Sequence, residues 1–241
     1  VKSTKFTLVN QCNYTVWPAI VTNGNGNLSI STTGFVLGSG ESSTVTPPAK
    51  WTGRIWGRTL CANDSATGNF SCLTGDCGSG EIECDGKVGS LPITLVEFSL
   101  DGFNDRDFYD VSLVDGFNLP VTIVPITKNS DSDSSNCNSM GCAVDMNTVC
   151  PTELKTIKNG ELVGCQNPCS AFENSYFCCT GNASSNCEPS VYSKIFKTTC
   201  PQAYSYPLDD ANSTFTCSRP ADYNIVFCPT SSNTSSNNTT T

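Results

Sequence analysis

The sequence carries sixteen cysteines and no histidine, and these two facts constrain the chain more than any other. Without an imidazole there is no mixed Cys/His zinc site, no Ser-His-Asp triad and no Cys-His nucleophile. All-cysteine zinc sites are built from C-x2-C pairs, and no two cysteines here stand three positions apart. An even number of cysteines at this density is expected to form disulfides, in an oxidising compartment and with neither metal nor cofactor. Spacing alone leaves their pairing open. The adjacent Cys178 and Cys179 are poor partners for each other, because a bridge needs Cα atoms about 4.4–6.8 Å apart with converging side chains. Each must reach elsewhere.

Other features agree with that compartment. The chain starts at Val1 with neither Met nor an apolar signal run, as expected of a mature secreted protein. It carries nine Asn-X-Ser/Thr sequons, at Asn13, Asn27, Asn63, Asn69, Asn182, Asn212, Asn233, Asn237 and Asn238, which are glycosylation candidates in a secreted chain. The formal net charge of −9 disfavours nucleic acid and anionic lipid as partners and suits a neutral or cationic one. No apolar run reaches the length of a membrane span.

At 241 residues the chain can form one large β domain. Short alternating bursts mark antiparallel strands at KFTLVN, YTVWPAI, GRIWGRT, ITLVEFSL, DFYDVSLVDGF, LPVTIVPI and TFTCSRPADYNIVFC. Residues 61–90 hold four cysteines and little periodicity, and read as a loop-rich excursion. Residues 128–136 read as a polar surface loop. Between Cys137 and Cys200 cysteines crowd together, with helices expected over PCSAFENSYFCC and PSVYSKIFKTTC. In the second, Pro189 suits the first helical position, and Tyr192, Ile195 and Phe196 share a face. After Pro229 the Ser/Thr/Asn run has nothing to bury and is expected to be disordered.

Several stretches then become specific. GNFSCLTGDC at 68–77, followed by Cys84, resembles the signature of the thaumatin-like proteins, a plant pathogenesis-related family. NYTVW, RIWGRT, DVSLVDGFNLP, CPTEL, YFCC, CPQAYSYPLDD and STFTC agree, from about Phe6 to Pro229. The resemblance implies a mainly β fold, a flattened antiparallel sandwich formed by residues 1–58, 92–143 and 201–229. To it are added a disulfide-rich helical region over 144–200, a small stapled loop region over 59–91 and a tail over 230–241. It also implies the pairs Cys12–Cys228, Cys61–Cys72, Cys77–Cys84, Cys137–Cys217, Cys142–Cys200, Cys150–Cys165, Cys169–Cys178 and Cys179–Cys187. The first of these ties the first strand to the last.

The family carries one arginine and four acids around a cleft. By motif these resemble Arg54, Glu97, Asp110, Asp115 and one of Asp209 and Asp210, a choice the sequence leaves open. Two carboxylates of unequal pKa can serve as acid and base or nucleophile in glycoside hydrolysis, and Glu97 with Asp115 is the expected pair, with Arg54, Asp110, Asp209 and Asp210 as substrate contacts. Alternation places Glu97 on the strand face opposite Val96, Phe98 and Leu100. Arg54, Trp56 and Arg58 share a face, as either a carbohydrate-facing surface or a structural stack. Asp76 is expected to cap a turn rather than donate protons.

The resemblance thus implies a monomeric, secreted antifungal protein of the apoplast, cell wall or vacuole. It would bind β-1,3-glucan or another wall polysaccharide and hydrolyse it weakly if at all. The alternative is an interaction module, either a receptor ectodomain tethered through a segment beyond Thr241 or an inhibitor, which binds a fungal surface protein or a secreted enzyme through the same cleft.

Overall fold

The computed structural model describes residues 3–24, 30–127, 137–218 and 221–230. The sequons at Asn27, Asn233, Asn237 and Asn238, the polar loop at 128–136 and the tail from 231 onward lie outside the described residues.

Thirteen strands are described. They are β1 Phe6–Asn10, β2 Trp17–Thr22, β3 Ser42–Val45, β4 Thr52–Asn63, β5 Phe70–Thr74, β6 Leu95–Ser99, β7 Asp107–Ser112, β8 Val121–Thr127, β9 Met140–Cys142, β10 Lys155–Lys158, β11 Glu161–Cys165, β12 Phe215–Cys217 and β13 Ala221–Phe227. They build one sheet in the order β3-β1-β13-β8-β9, a second in the order β12-β7-β6-β4-β2, and a separate β10–β11 hairpin. One pairing departs from the antiparallel expectation. The first and last strands, β1 and β13, run parallel with Phe6 opposite Tyr223. Their ends therefore lie side by side, where Cys12–Cys228 joins them across 216 residues of sequence. Closing a loop of that length stabilises by about 5 kcal/mol in the chain-entropy model.

The core lies between the sheets. Phe6 and Leu8 from β1 and Tyr223 and Ile225 from β13 meet Ile55, Val96, Phe98, Tyr109 and Val111 from the second sheet, all buried. Their rings form a knot, with Phe6–Phe98 centroids 4.6 Å apart and Phe98–Tyr223 4.9 Å apart. Such contacts add to the area each ring buries. The two hydroxyls inside the knot are satisfied: Tyr223 donates to Asp107 Oδ2 at 2.7 Å and Tyr109 to the Asn138 carbonyl at 2.7 Å.

All sixteen cysteines are paired, in eight bridges that include the neighbours Cys178 and Cys179, which reach Cys169 and Cys187 respectively. The other five are Cys61–Cys72, Cys77–Cys84, Cys137–Cys217, Cys142–Cys200 and Cys150–Cys165.

Four local expectations change. Residues 61–90 are not all loop: β4 continues to Asn63 and β5 pairs back on it, with Cys61 opposite its own partner Cys72. The segment over 144–200 contains the β10–β11 hairpin, turned at Asn159 and Gly160, both at positive φ. The expected helix over PCSAFENSYFCC splits into α1, Pro168–Phe172, and α2, Ser175–Cys178. Glu173 adopts a left-handed conformation after α1, and the Asn174 side chain accepts from the Tyr176 amide to cap α2. The helix α3, Val191–Thr199, starts after Ser190, whose hydroxyl accepts from the Ser193 amide, so Pro189 precedes the cap. Phe196 on its inner face is buried, with Tyr192 and Ile195 partly covered. Among the described residues no helix is long and apolar enough to cross a membrane.

Candidate functional site

The outer face of the second sheet is divided. At one end the stapled loop covers it, and Ala19, Val21, Trp56, Cys77, Cys84, Ile93 and Leu95 form a second apolar cluster. Asp76 shapes that loop, accepting from the Cys72 amide with one oxygen and from the Gly78 amide with the other, both at 3.0 Å. It is a turn residue. Arg58 is fully buried here. It donates to the carbonyls of Trp17, Pro18 and Ile82 and lies 5.5 Å from the Phe70 ring centroid. Trp56 is also buried and donates to the Gly75 carbonyl at 2.9 Å. Of the sequence trio on this face, the structure buries Trp56 and Arg58 in structural roles, Arg58 against the Phe70 ring, and leaves Arg54 at the surface.

At the other end, strand register brings charges together. Arg54 on β4 is opposite Glu97 on β6, and Glu97 is opposite Asp110 on β7. Directly opposed side chains of one face lie about 5 Å apart at Cβ, so the three form a row across three neighbouring strands. Arg54 Nε donates to Glu97 Oε1 at 2.7 Å. Asp110 Oδ1 is shielded from solvent and has no hydrogen-bond partner. Burial, and after it the Glu97 carboxylate through charge and a hydrogen bond, push Asp110 up to about 8, with Arg54 pulling the other way.

Asp115 reaches the same face from a turn. The strand β7 ends at Ser112, and the Gly116 amide closes a turn onto the Leu113 carbonyl at 3.0 Å. Gly116 has φ +90°, and a Cβ there would stand 2.6 Å from the Pro92 side chain and 2.7 Å from the Cys165 carbonyl. Only glycine fits. The turn is held by Ile93, whose amide donates to the Asp115 carbonyl at 2.9 Å, and by reciprocal bonds between Phe117 and Cys165 at 2.8 Å. Burial raises Asp115, against the lowering effect of Arg54.

The sequence left Asp209 and Asp210 undecided, and the structure separates them. Asp209 Oδ2 accepts from the Ser205 amide and hydroxyl and pairs with Lys197 at 2.9 Å, joining the 205–209 turn to α3. Asp210 accepts from the Tyr204 hydroxyl at 2.7 Å and is close enough to Asp110 to raise it. Tyr204 itself is stitched to the end of β7, with its amide donating to the Val111 carbonyl and its carbonyl accepting from the Leu113 amide. Arg54, Glu97, Asp110, Asp115 and Asp210 therefore gather at one place, and Asp209 does not join them. The sequence reading did not single out Tyr204, which orients Asp210. Among the described residues no group of three or more acids or cysteines is arranged to hold a metal ion.

Two packed sheets, a small helical region and eight disulfides make up the thaumatin fold. Residues 10–229 match the Thaumatin family, and the chain belongs to it. The chain is 49% identical over 232 residues to thaumatin-like protein 1 of Pyrus pyrifolia, covering 95% of this chain and 92% of that one. It is 48% identical over 231 residues to pathogenesis-related thaumatin-like protein 3.5 of Cryptomeria japonica, covering 95% and 91%. Among solved structures, a laminaripentaose-producing β-1,3-glucanase in complex with laminaritetraose superposes with a TM-score of 0.60 at 10% identity, covering 94% of this chain and 98% of the enzyme. At that identity the likeness is one of fold.

Proposed function

We propose that this protein is an extracellular defence protein whose cleft, formed by Arg54, Glu97, Asp110, Asp115 and Asp210, binds β-1,3-glucan. The observation that carries the reading is the register-fixed row of Arg54, Glu97 and Asp110 on an open strand face, joined by Asp115 from a glycine-locked turn. Carboxylates and a guanidinium in a rigid line offer acceptors and donors to the hydroxyls of a neutral polymer. They do so without the basic surface that a nucleic acid needs. The pathogenesis-related relative and the glucan held by a protein of this fold support the same choice.

Glycoside hydrolysis uses two carboxyls of unequal proton affinity, and burial raises that of Asp115. Glu97, ion-paired with Arg54, serves as nucleophile or base, and Asp115, raised by burial, serves as the acid. Weak cleavage of the bound glucan is the activity proposed for this pair. The exposed sequons Asn13, Asn63, Asn69, Asn182 and Asn212 are compatible with glycosylation during secretion to the apoplast or cell wall.

The test is retention on insoluble β-1,3-glucan beside cellulose and chitin, for the wild type, Asp110→Asn and Asp115→Asn. Selective retention on β-1,3-glucan that both substitutions weaken is expected. Equal retention of all three proteins on all three polymers sinks the reading. Reducing-sugar release from linear β-1,3-glucan, lost in a folded Glu97→Gln variant, tests the hydrolytic part.

A further inference from the structure

The acidic row borders a pocket of about 300 Å³, with Arg54 and Asp115 on its lining. Its buried walls are Val21, Trp56, Ile93 and Leu95, and its lip is Val88 and Leu91, which are 63% and 43% exposed. The single polar atom of Trp56 is already engaged by the Gly75 carbonyl, and Arg54 Nε by Glu97. Apart from Arg54 and Asp115 at its edge, the side chains that line it offer a hydroxyl no partner. A pyranose ring carries hydroxyls on most of its edges, and each one buried here without a partner is penalised. The pocket suits hydrocarbon.

Its surroundings add a second requirement. Among the described residues, Arg54 is the cation that acts on Glu97, Asp110 and Asp115, and the whole chain carries −9. A hydrocarbon group arriving with a positive charge is favoured over a neutral or anionic one. The lip is also fixed before any ligand arrives. The Ser90 amide donates to the Asp76 carbonyl at 2.8 Å and the Lys87 amide to the Cys84 carbonyl at 3.0 Å, so the stapled loop holds Val88 and Leu91 in place. A pre-formed apolar recess beside an acidic line is the usual form of a side-chain anchor site.

We propose that this pocket receives a large aliphatic or aromatic side chain from a basic segment of a partner protein, with a lysine or arginine next to it pairing with Asp115 and Glu97. The proposal shares Glu97 and Asp115 with the glucan reading and adds the apolar recess, which that reading does not use, so a change at the Val88 lip separates the two.

The test is a titration in 0.15 M salt of the full chain, labelled at tryptophan and followed by the Trp56 indole N–H resonance. The probes are the capped tripeptides Lys-Leu-Lys, Lys-Ser-Lys and Glu-Leu-Glu, with a β-1,3-linked glucose disaccharide beside them. Lys-Leu-Lys is expected to shift Trp56 saturably. The other two peptides should bind at least tenfold more weakly, and the disaccharide should leave Trp56 unmoved. Val88→Lys, at an exposed lip position that leaves folding intact, should weaken Lys-Leu-Lys at least tenfold while retention on β-1,3-glucan persists. Equal responses to Lys-Leu-Lys and Lys-Ser-Lys overturn the proposal, as do a Trp56 shift caused by the disaccharide and the absence of any response to Lys-Leu-Lys.

Discussion

Replacing Asp110 with asparagine should make the protein more stable, and increasingly so as pH rises. Burial and the facing Glu97 carboxylate push Asp110 up to about 8, whereas an aspartate in an unfolded chain titrates near 4. Between those values the native state keeps a proton that the unfolded state has released. Native protein then binds more protons, so this group's contribution to stability falls with rising pH. The penalty is absent below about pH 4 and complete above about pH 8. At about 1.4 kcal/mol per pH unit over roughly four units, its ceiling is on the order of 5 kcal/mol. Water entry and relaxation around the ionised pair reduce that to a few kcal/mol. Asparagine has the same shape, carries no charge, and can donate to Glu97 as the protonated acid does. Calorimetric melting with disulfides intact, at pH 4, 6 and 8, gives the comparison. The variant should match the wild type at pH 4 and gain about 2 kcal/mol at pH 8, roughly 4–8 °C in Tm for a chain of this size. Asp107 and Asp115, also raised by burial, titrate in both proteins and cancel in the difference. A Tm difference that is flat with pH, or shrinks as pH rises, refutes the reasoning.

Arg58→Ala should cost about 3 kcal/mol, measured by thermal melting, because it strands the buried Pro18 carbonyl and the part-buried carbonyls of Trp17 and Ile82 and empties a fully buried site. Asp209→Ala should lower Tm at pH 7 by breaking the link from Lys197 to Ser205, at a cost of about 1–3 kcal/mol, with glucan retention unchanged. Asp210→Asn should do the opposite, weakening retention several-fold with little change in Tm.

The fold was largely legible because its inner strands alternate cleanly. In β6, Val96 and Phe98 enter the core while Glu97 faces out, as period-2 reasoning requires. The β5 strand is hard to read from sequence because its inward residues are Phe70, Cys72 and Thr74, none of them aliphatic. The β10–β11 hairpin had a readable signal, Asn159-Gly160 between alternating segments, which is a favoured two-residue turn. The expected disulfide-rich helical region over 144–200 takes no account of it. At the site, sequence motif supplied the residues, but register supplied the arrangement. That Glu97 opposes both Arg54 and Asp110 depends on strand pairing between distant segments, and no local pattern encodes it. The split between Asp209 and Asp210 likewise depends on Lys197 from α3 and on Tyr204, which is hydrogen-bonded to the end of β7.

The central claim is that glucan is held by the acidic row. Carbon-13 labelling of aspartate and glutamate carboxyls, followed through titration with a β-1,3-linked glucose hexamer, tests it directly. Saturable shifts should appear at Glu97, Asp110 and Asp115, with Asp107 and Asp209 unmoved. Saturable binding that leaves those three carboxyls unmoved, or no binding at all, contradicts the account.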